Sequence, residues 1–180
     1  MKATGIVRRI DDLGRVVIPK EIRRTMRIRE GDPLEIYTDS DGEVIFKKYS
    51  PLGELNTFST QYAEVLYRNA GYPVVVCDRD HVIAVAGLPK KELIERRVSP
   101  MLEDKMEQRK TFICDMTSEE KLQPVEGVDR YAIVGAPIIS SGDVCGSILL
   151  MSDGTDTESS EVSVKLINTA AAFLGKQMEE

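Results

Sequence analysis

The arginines in the first thirty residues are the side chains of this sequence best suited to binding a charged partner. Residues 1–29 hold nine cations and three carboxylates, a net charge of +6, whereas the whole chain carries −6. The other 151 residues therefore carry −12, so the basic residues are segregated from an acidic body. Arginine has a planar fork that matches two phosphate oxygens or the edge of a guanine. This pattern favours a nucleic-acid surface over an ordinary solvated face.

Two short apolar runs must position the first of these arginines. Residues 6–10 hold Arg8 and Arg9 among β-branched side chains, and residues 15–18 begin with Arg15. Because β-branched residues favour strands, we predict a strand on each side of the Asp-Asp-Leu-Gly turn that separates the two runs.

A short helix is predicted directly after Pro19, because proline suits the first helical position. Its basic residues recur three and four positions apart, which places them on one face: Lys20, Arg23, Arg24 and Arg27. Ile22 and Met26 fall on the opposite face. The helix is therefore expected to aim several cations the same way.

These residues resemble the swapped-hairpin DNA-binding domain of the AbrB family of transition-state regulators. The resemblance covers residues 1–49, called the head below, and is carried by Leu-Gly-Arg-Val-Val-Ile-Pro at 13–19 and Glu-Ile-Arg-Arg at 21–24. It implies double-stranded DNA as the partner. It also implies that the contacting residues are Arg8, Arg15, Arg23 and Arg24, with Arg9 at a position where the family accepts either cation. Lys20 matches no contacting residue of the family.

A head of this size is expected to need a partner chain, because about 50 residues bury too little apolar surface and no disulfide or metal compensates. Turn residues at 30–32 and 40–42 bracket an alternating strand at 34–38, and a return strand begins at Val44. Two such hairpins can interleave into one barrel. The predicted symmetric dimer doubles the arginine set.

The chain is expected to divide just after the head, where Pro51 and Gly53 interrupt regular structure. We predict a DNA-binding and dimerisation domain at residues 1–50, a linker at 51–54 and a second domain at 55–180.

The second domain alternates helical and strand patterns. Helices are predicted at residues 55–69, within 90–110 and from about Glu158, strands at 73–77, 82–86, 111–114, 131–139 and 144–151, and a loop at 115–129. This order describes an antiparallel sheet flanked by helices and resembles the GAF sensory fold. The expected class is α+β, with a dimeric swapped-hairpin β-barrel followed by a GAF-like sheet and its helices.

An AbrB-like head joined to a GAF-like domain resembles a family of sporulation transcription regulators from endospore-forming bacteria. The resemblance implies a regulator that activates some genes and represses others, and a tetramer assembled through the C-terminal domains. The two long helices offer apolar faces for such a four-helix arrangement. Because no apolar run reaches the length of a membrane span and no signal peptide is visible, a cytoplasmic location is expected.

The resemblance places any GAF ligand between the sheet and its cover, at residues 90–127. The Asn-Lys-Phe-Asp pattern of cyclic-nucleotide-binding members is absent there, and so is a Gly-rich phosphate loop. An unknown small-molecule effector and a purely structural domain both stay open.

Little in the sequence favours catalysis. His81 is the only histidine and lies in a turn, so no histidine triad or metal cluster can form within one chain. No enzyme, cofactor or metal is predicted. Cys77, Cys114 and Cys145 lie in apolar strands at spacings that favour buried, reduced thiols. A redox sensor is the alternative, and it requires an exposed thiol of lowered pKa, which Arg79 could provide at Cys77.

Two other classes remain as alternatives. AbrB-like heads also occur in antitoxins, but those carry a disordered tail, whereas residues 55–180 are rich in periodic apolar sequence. The second alternative is a GAF-based redox or small-molecule sensor in which the head mainly dimerises. DNA binding that does not respond to salt would favour the sensor.

Overall fold

A computed structural model describes residues 4–114, 121–154 and 159–179, and the chain forms two compact units. The first is Met1–Tyr49, which corresponds to the head, and the second is Ser50–Glu180. Residues 115–120, within the predicted loop, and Glu158, the predicted start of the last helix, lie outside the described residues.

The head contains helix α1, Lys20–Thr25, and a hairpin of strands β1, Leu34–Thr38, and β2, Val44–Lys48. The two strands pair antiparallel, from Leu34 opposite Lys48 to Thr38 opposite Val44. At the turn, one carboxylate oxygen of Asp39 accepts hydrogen bonds from the amides of Asp41 and Glu43, at 3.0 and 2.9 Å. The hairpin therefore forms where the turn residues predicted it.

The strands predicted at residues 6–10 and 15–18 do not form in this single chain. The turn between them does form: the Asp11 amide donates to the Arg15 carbonyl and the Gly14 amide to the Asp11 carbonyl, both at 3.0 Å. A strand is defined by its ladder of hydrogen bonds, and the described residues of one chain supply no neighbour for these two segments.

The head has almost no buried interior. Among residues 4–49 only Pro19 is buried as a whole residue, while Val7 is 85% exposed and Ile36 61% exposed. Further exposed apolar side chains are Ile6, Ile10, Leu13, Val16, Val17, Met26, Tyr37, Val44, Ile45 and Phe46. A folded domain cannot gain much stability with its apolar residues in water.

The second unit is built around a five-stranded antiparallel sheet with the order β4-β3-β7-β6-β5. Its strands are β3 (Val74–Asp78), β4 (Val82–Ala86), β5 (Phe112–Ile113), β6 (Ala132–Ser140) and β7 (Asp143–Met151). Its helices are α2 (Pro51–Glu54), α3 (Asn56–Ala70), α4 (Lys90–Leu93), α5 (Pro100–Glu107) and α6 (Glu161–Gln177). Apart from α2, which lies in the predicted linker, the element order agrees with the sequence prediction.

Both faces of this sheet are covered by apolar side chains. Val74 and Val76 of β3 join a cluster with residues of α3 and α6, while Val75 and Cys77 join a second cluster with residues of α4 and α5. Because successive side chains of a strand point to opposite faces, a strand covered on both sides must be apolar throughout. The continuous apolar runs of β3 and β4 predicted this arrangement.

Residues 51–54 form a helical turn instead of the predicted interruption. Pro51 occupies the first helical position, and the Ser50 hydroxyl caps the turn by accepting from the Gly53 amide at 3.1 Å. Proline and a serine cap favour a helix start, which outweighs the breaking effect of Gly53. Leu52 is fully buried in the α3 and α6 cluster. The exact domain bounds of 1–50 and 55–180 stay a prediction.

Candidate nucleic-acid interface

The five arginines predicted to contact DNA are all exposed on the head. Arg23 and Arg24 are consecutive residues of the short helix α1. Arg8 and Arg9 precede the turn at residues 11–14, and Arg15 directly follows it. The turn therefore connects the two segments that carry Arg9 and Arg15, while α1 carries the other pair.

Arg15 is held by Asp11, four residues earlier. Its Nε lies 2.8 Å from Asp11 Oδ2, and its backbone amide donates to Oδ1 at 2.7 Å. The Leu13 amide also donates to Oδ1, at 3.0 Å. The hydrogen bonds from Arg15 lower the pKa of Asp11. Arg15 therefore meets any phosphate as a member of an ion pair, and Asp11 competes with the phosphate for its guanidinium.

The other arginines have little to hold their guanidinium groups. Arg8 Nη1 donates to the neighbouring Val7 carbonyl at 3.3 Å. Among the described residues, no carboxylate pairs with Arg9, Arg23 or Arg24. Each can present its donors to a phosphate or a base edge without first breaking an ion pair.

Arg27 does not share the helical face predicted for it, because α1 ends before it. The Ile28 amide donates to the Arg23 carbonyl at 2.8 Å and the Arg27 amide to the Arg24 carbonyl at 3.2 Å. These two bonds form a Schellman motif, in which Arg27 takes the left-handed position with φ 51°. The turn at Arg27 therefore leaves Arg23 and Arg24 in the last helical turn.

A second contact ties the end of α1 to the hairpin. Lys48 Nζ donates to the Arg27 carbonyl at 2.9 Å and lies 3.9 Å from Asp32 Oδ2. The same carboxylate oxygen accepts from the Arg29 amide at 2.7 Å, and the Asp32 side chain is only 5% exposed. Sequence reasoning missed this brace, because Lys48 and Arg27 are 21 residues apart and no local pattern connects them.

The space predicted for a GAF ligand, between the sheet and residues 90–127, is packed with side chains. Leu93, Val98, Leu102, Met106 and Phe112 fill it against the sheet. Two cavities of about 400 Å³ lie at the edges of this region, one between Arg109, Thr111 and the β6 and α6 side chains, the other between His81, Ile94 and Glu95. Among the described residues, no group of three or more histidine, cysteine or acidic side chains could hold a metal ion.

The three thiols do not have the environment of a redox sensor. Burial raises the pKa of Cys77 far above its usual range, and burial raises the pKa of Cys114 to about 11. Burial also raises the pKa of Cys145, and the positive charge of Arg79 offsets this increase only slightly. The expectation that Arg79 could activate Cys77 is wrong, because Cys77 is fully buried and Arg79 acts on Cys145 instead.

Comparison with known proteins covers both units. Residues 54–179 match the family described as stage V sporulation protein T C-terminal, transcription factor, and residues 7–53 match that described as antidote-toxin recognition MazE, bacterial antitoxin. Stage V sporulation protein T of Bacillus subtilis (strain 168) is 52% identical over 184 residues, with the full length of both chains covered. The transition state regulatory protein AbrB of the same organism is 65% identical over 51 residues, which cover 28% of this chain and 52% of that protein.

The second unit also resembles solved GAF structures. The GAF domain from Acinetobacter phosphoenolpyruvate-protein phosphotransferase has a TM-score of 0.56 and 12% identity, covering 73% of this chain and 84% of that one. At this identity the likeness shows the fold alone. The predicted class, an AbrB-like head followed by a GAF-like antiparallel sheet with helices, is confirmed.

Within the part that the structure describes, no helix combines the length and apolarity needed to cross a bilayer. The family model that matches residues 54–179 and the relative that is 52% identical over the full length indicate the same family. This chain belongs to the stage V sporulation protein T family of transcription factors.

Proposed function

We propose that this protein is a sequence-preferring DNA-binding regulator of sporulation genes, acting as activator at some promoters and as repressor at others. It works where the chromosome lies, in the cytoplasm of the developing cell. The observation that carries the proposal is the exposed basic surface of the head, which has the AbrB-like sequence. The contacting residues are Arg8, Arg9, Arg15, Arg23 and Arg24.

The free guanidinium groups support this assignment. Arg9, Arg23 and Arg24 lack ionic partners among the described residues, so their charge is available to the phosphate backbone. Phosphate contacts supply affinity and register, and an arginine that reaches the major groove can also read guanine. An acidic second unit repels DNA, which confines binding to the head.

The head works as an interleaved dimer in this proposal. Its apolar side chains are uncovered in a single chain, and the segments at residues 6–10 and 15–18 have the composition of strands but no ladder partner among the described residues. A second head supplies both the missing cover and the missing strands. The dimer then carries two copies of each arginine.

Tetramer assembly is proposed to use the outer face of α3 and α6. Phe173 lies 5.4 Å from Tyr62 and 5.9 Å from Phe58, measured between ring centroids, and Phe173 is 42% exposed. Val65 and Val162 on the same two helices are also exposed. An aromatic cluster of this kind favours packing against an equivalent helix pair of another chain.

The test is a DNA-binding titration of the full-length chain at several salt concentrations. We expect log affinity for promoter DNA to fall linearly with log salt, by about 0.9 per phosphate neutralised. A variant with Arg8, Arg15, Arg23 and Arg24 all changed to Ala should lose binding while keeping its oligomeric state by light scattering. If that variant binds as tightly as the parent at physiological salt, the proposed interface is wrong.

The antitoxin alternative rests on the match of residues 7–53 to the MazE model. An antitoxin is expected to carry a disordered tail after its head. Residues 54–179 instead match a transcription-factor family and form two apolar clusters. The MazE match therefore describes the head alone, and the regulator is the better proposal.

A further inference from the structure

The second unit contains a cavity with a built apolar floor and a charged rim. Its volume is about 400 Å³, at the lower end of the range of small-molecule sites. The floor consists of small or aliphatic side chains: Ala136, Pro137 and Ile139 of β6, and Ala171 and Ala172 of α6. Short side chains on both elements leave this space unfilled.

The backbone around the cavity keeps it open. Strand β5 pairs only with Val134 and Gly135, so β6 extends past its neighbour from Ala136 onward. Nearby, α6 approaches β6 so closely that a Cβ on Gly175 would lie 2.1 Å from the Ile139 carbonyl oxygen. The end of α6 is therefore held against β6, which leaves the shape of the cavity little freedom to collapse.

The rim is a set of polar groups that already hold one another. Arg109 Nη2 donates to the Gly142 carbonyl at 2.6 Å, and Glu179 accepts from the Ser141 amide at 3.0 Å and from Lys176 at 2.9 Å. Thr111 donates to the Asn168 side chain on the same rim. Groups positioned before binding lose less entropy when a ligand arrives.

The charges of the rim indicate the sign of the ligand. Lys176 is paired with Glu179, so the net charge of +1 on the lining corresponds to the charge of Arg109. An anion neutralises this excess, and arginine suits the two oxygens of a carboxylate. Inorganic phosphate would leave the apolar floor in contact with water, whereas an organic acid covers it.

We infer that this cavity binds a small organic monocarboxylate, with the acid group at Arg109 and Lys176 and a short apolar body on Ala136, Pro137 and Ala171. The inference rests on the proposed function only in treating the ligand as an effector of a DNA-binding regulator. Binding itself is a property of the second unit and is measured without DNA.

The experiment is isothermal titration calorimetry on the full-length protein with three probes: 3-methylbutanoate, benzoate and phenylacetate. Their uncharged amides and inorganic phosphate serve as comparison ligands. We expect at least one carboxylate to bind saturably. Its amide should bind at least about tenfold more weakly, because the amide loses the charge-assisted contact. Failure of all three carboxylates to bind saturably overturns the inference.

Variants locate the site. Arg109→Gln and Lys176→Gln should each weaken the binding carboxylate about tenfold, while Lys165→Gln, on the same helix and outside the cavity lining, should leave affinity unchanged. Ala172→Leu keeps both charges and should abolish binding, since it fills the cavity at an exposed helical position. Circular dichroism confirms that each variant is folded. Unchanged affinity in Arg109→Gln and Lys176→Gln overturns the inference.

The result is independent of the proposed DNA function. Loss of DNA binding in the arginine variants of the head leaves carboxylate binding intact, and absence of carboxylate binding leaves the salt-dependent DNA titration intact. The two proposals can therefore fail separately.

Discussion

The arginines of the head differ in whether a carboxylate of the protein already neutralises their charge. Arg23 and Arg24 have no ionic partner among the described residues, whereas Arg15 is bound at 2.8 Å by Asp11. An arginine that must leave a carboxylate before reaching a phosphate gains less from the exchange than a solvated one. The sequence shows five similar arginines, and the structure separates them into paired and unpaired groups.

We expect Arg23→Ala and Arg24→Ala to weaken DNA binding without altering the fold, because both side chains are exposed. If a dimer neutralises about eight phosphates, the salt slope is near −7, and losing one arginine per chain flattens it by nearly two. An arginine that reads guanine instead loses about 1–3 kcal/mol at one base position.

The matched control for these two variants is Arg68→Ala, an exposed arginine near the end of α3 in the acidic unit. It should leave both affinity and slope unchanged. Equal slopes for the parent and Arg23→Ala would remove Arg23 from the interface.

Asp11→Asn is expected to strengthen binding to DNA of any sequence. The amide keeps an oxygen that can accept from the Arg15 and Leu13 amides, but it no longer neutralises the Arg15 guanidinium. The salt slope should steepen by about one for each arginine released to a phosphate. Titration of non-specific duplex DNA measures this, with Asp12→Asn as the control for added net charge. Equal gains in both variants would show that the Asp11 pair has no special role.

The thiols should resist alkylation in the folded protein. At pH 8 a thiol with a pKa of about 11, as at Cys114, has about a hundredfold less thiolate than one at the ordinary 9.0. Iodoacetamide labelling followed by mass spectrometry should find Cys114 slow and Cys77 unlabelled until urea unfolds the chain. Labelling of native Cys77 at the unfolded rate would restore the redox-sensor alternative.

The same pKa shifts set a direction for stability against pH. The thiols ionise more readily in the unfolded chain than in the folded one. Their contribution to the free energy of unfolding is therefore complete at pH values below the ordinary thiol pKa. It declines as pH rises from about 9 toward the raised folded-state values. The free energy of unfolding in urea should therefore decrease across this alkaline range.

At the scale of elements, the sequence predicts what is decided locally. Turn residues predicted the hairpin of β1 and β2, and continuous apolar runs predicted β3 and β4 as strands covered on both faces. It missed features decided by tertiary contacts. The end of α1 at Thr25, the helical turn at Pro51–Glu54 and the brace from Lys48 to Arg27 depend on hydrogen bonds that periodicity does not show.

Gly175→Ala tests how closely α6 lies against β6. Alanine in a helix is favoured over glycine by about 1 kcal/mol, which alone would stabilise the protein. Its Cβ would however lie 2.1 Å from the Ile139 carbonyl oxygen, which is backbone and cannot rotate away. We expect net destabilisation of about 2 kcal/mol in urea unfolding of the full chain.

The control for Gly175→Ala is the reverse change, Ala172→Gly, at an exposed position of the same helix. It should cost only the propensity difference of about 1 kcal/mol. A Gly175→Ala protein more stable than the parent would show that α6 does not approach β6 this closely.

At the scale of the whole molecule, the two units differ in how they are stabilised. The second unit has an apolar cluster on each face of its sheet, whereas the head buries only Pro19 among its described residues. The sequence predicted this difference from the length of the head. It could not show which side chains remain uncovered, because cover depends on tertiary packing and not on local pattern.

Ile36→Glu distinguishes a head that works alone from one that works as an interleaved dimer. Ile36 lies opposite Phe46 in the hairpin and is 61% exposed in a single chain, where a surface substitution changes stability by within about 0.5 kcal/mol. If a second head covers this position, the change instead buries an unpaired carboxylate, which costs several kcal/mol. We expect Ile36→Glu to abolish DNA binding by the full chain and to leave residues 1–53, expressed alone, monomeric and unfolded. Thr38→Glu, two positions along the same strand face, is the control. It should retain DNA binding by the full chain and a folded, dimeric fragment of residues 1–53.

Light scattering then gives the assembly itself. The parent fragment of residues 1–53 should be a folded dimer and the full chain a larger assembly, because the exposed faces of α3 and α6 are the proposed second interface. Two linked heads should bind adjacent DNA sites far more tightly than one, through effective concentration alone. A fragment that is folded as a monomer would exclude interleaving, since one head would then be stable with its apolar residues in water. A full chain no larger than a dimer would exclude the helix faces as a second interface and leave the five proposed arginine contacts of each head to act without that avidity.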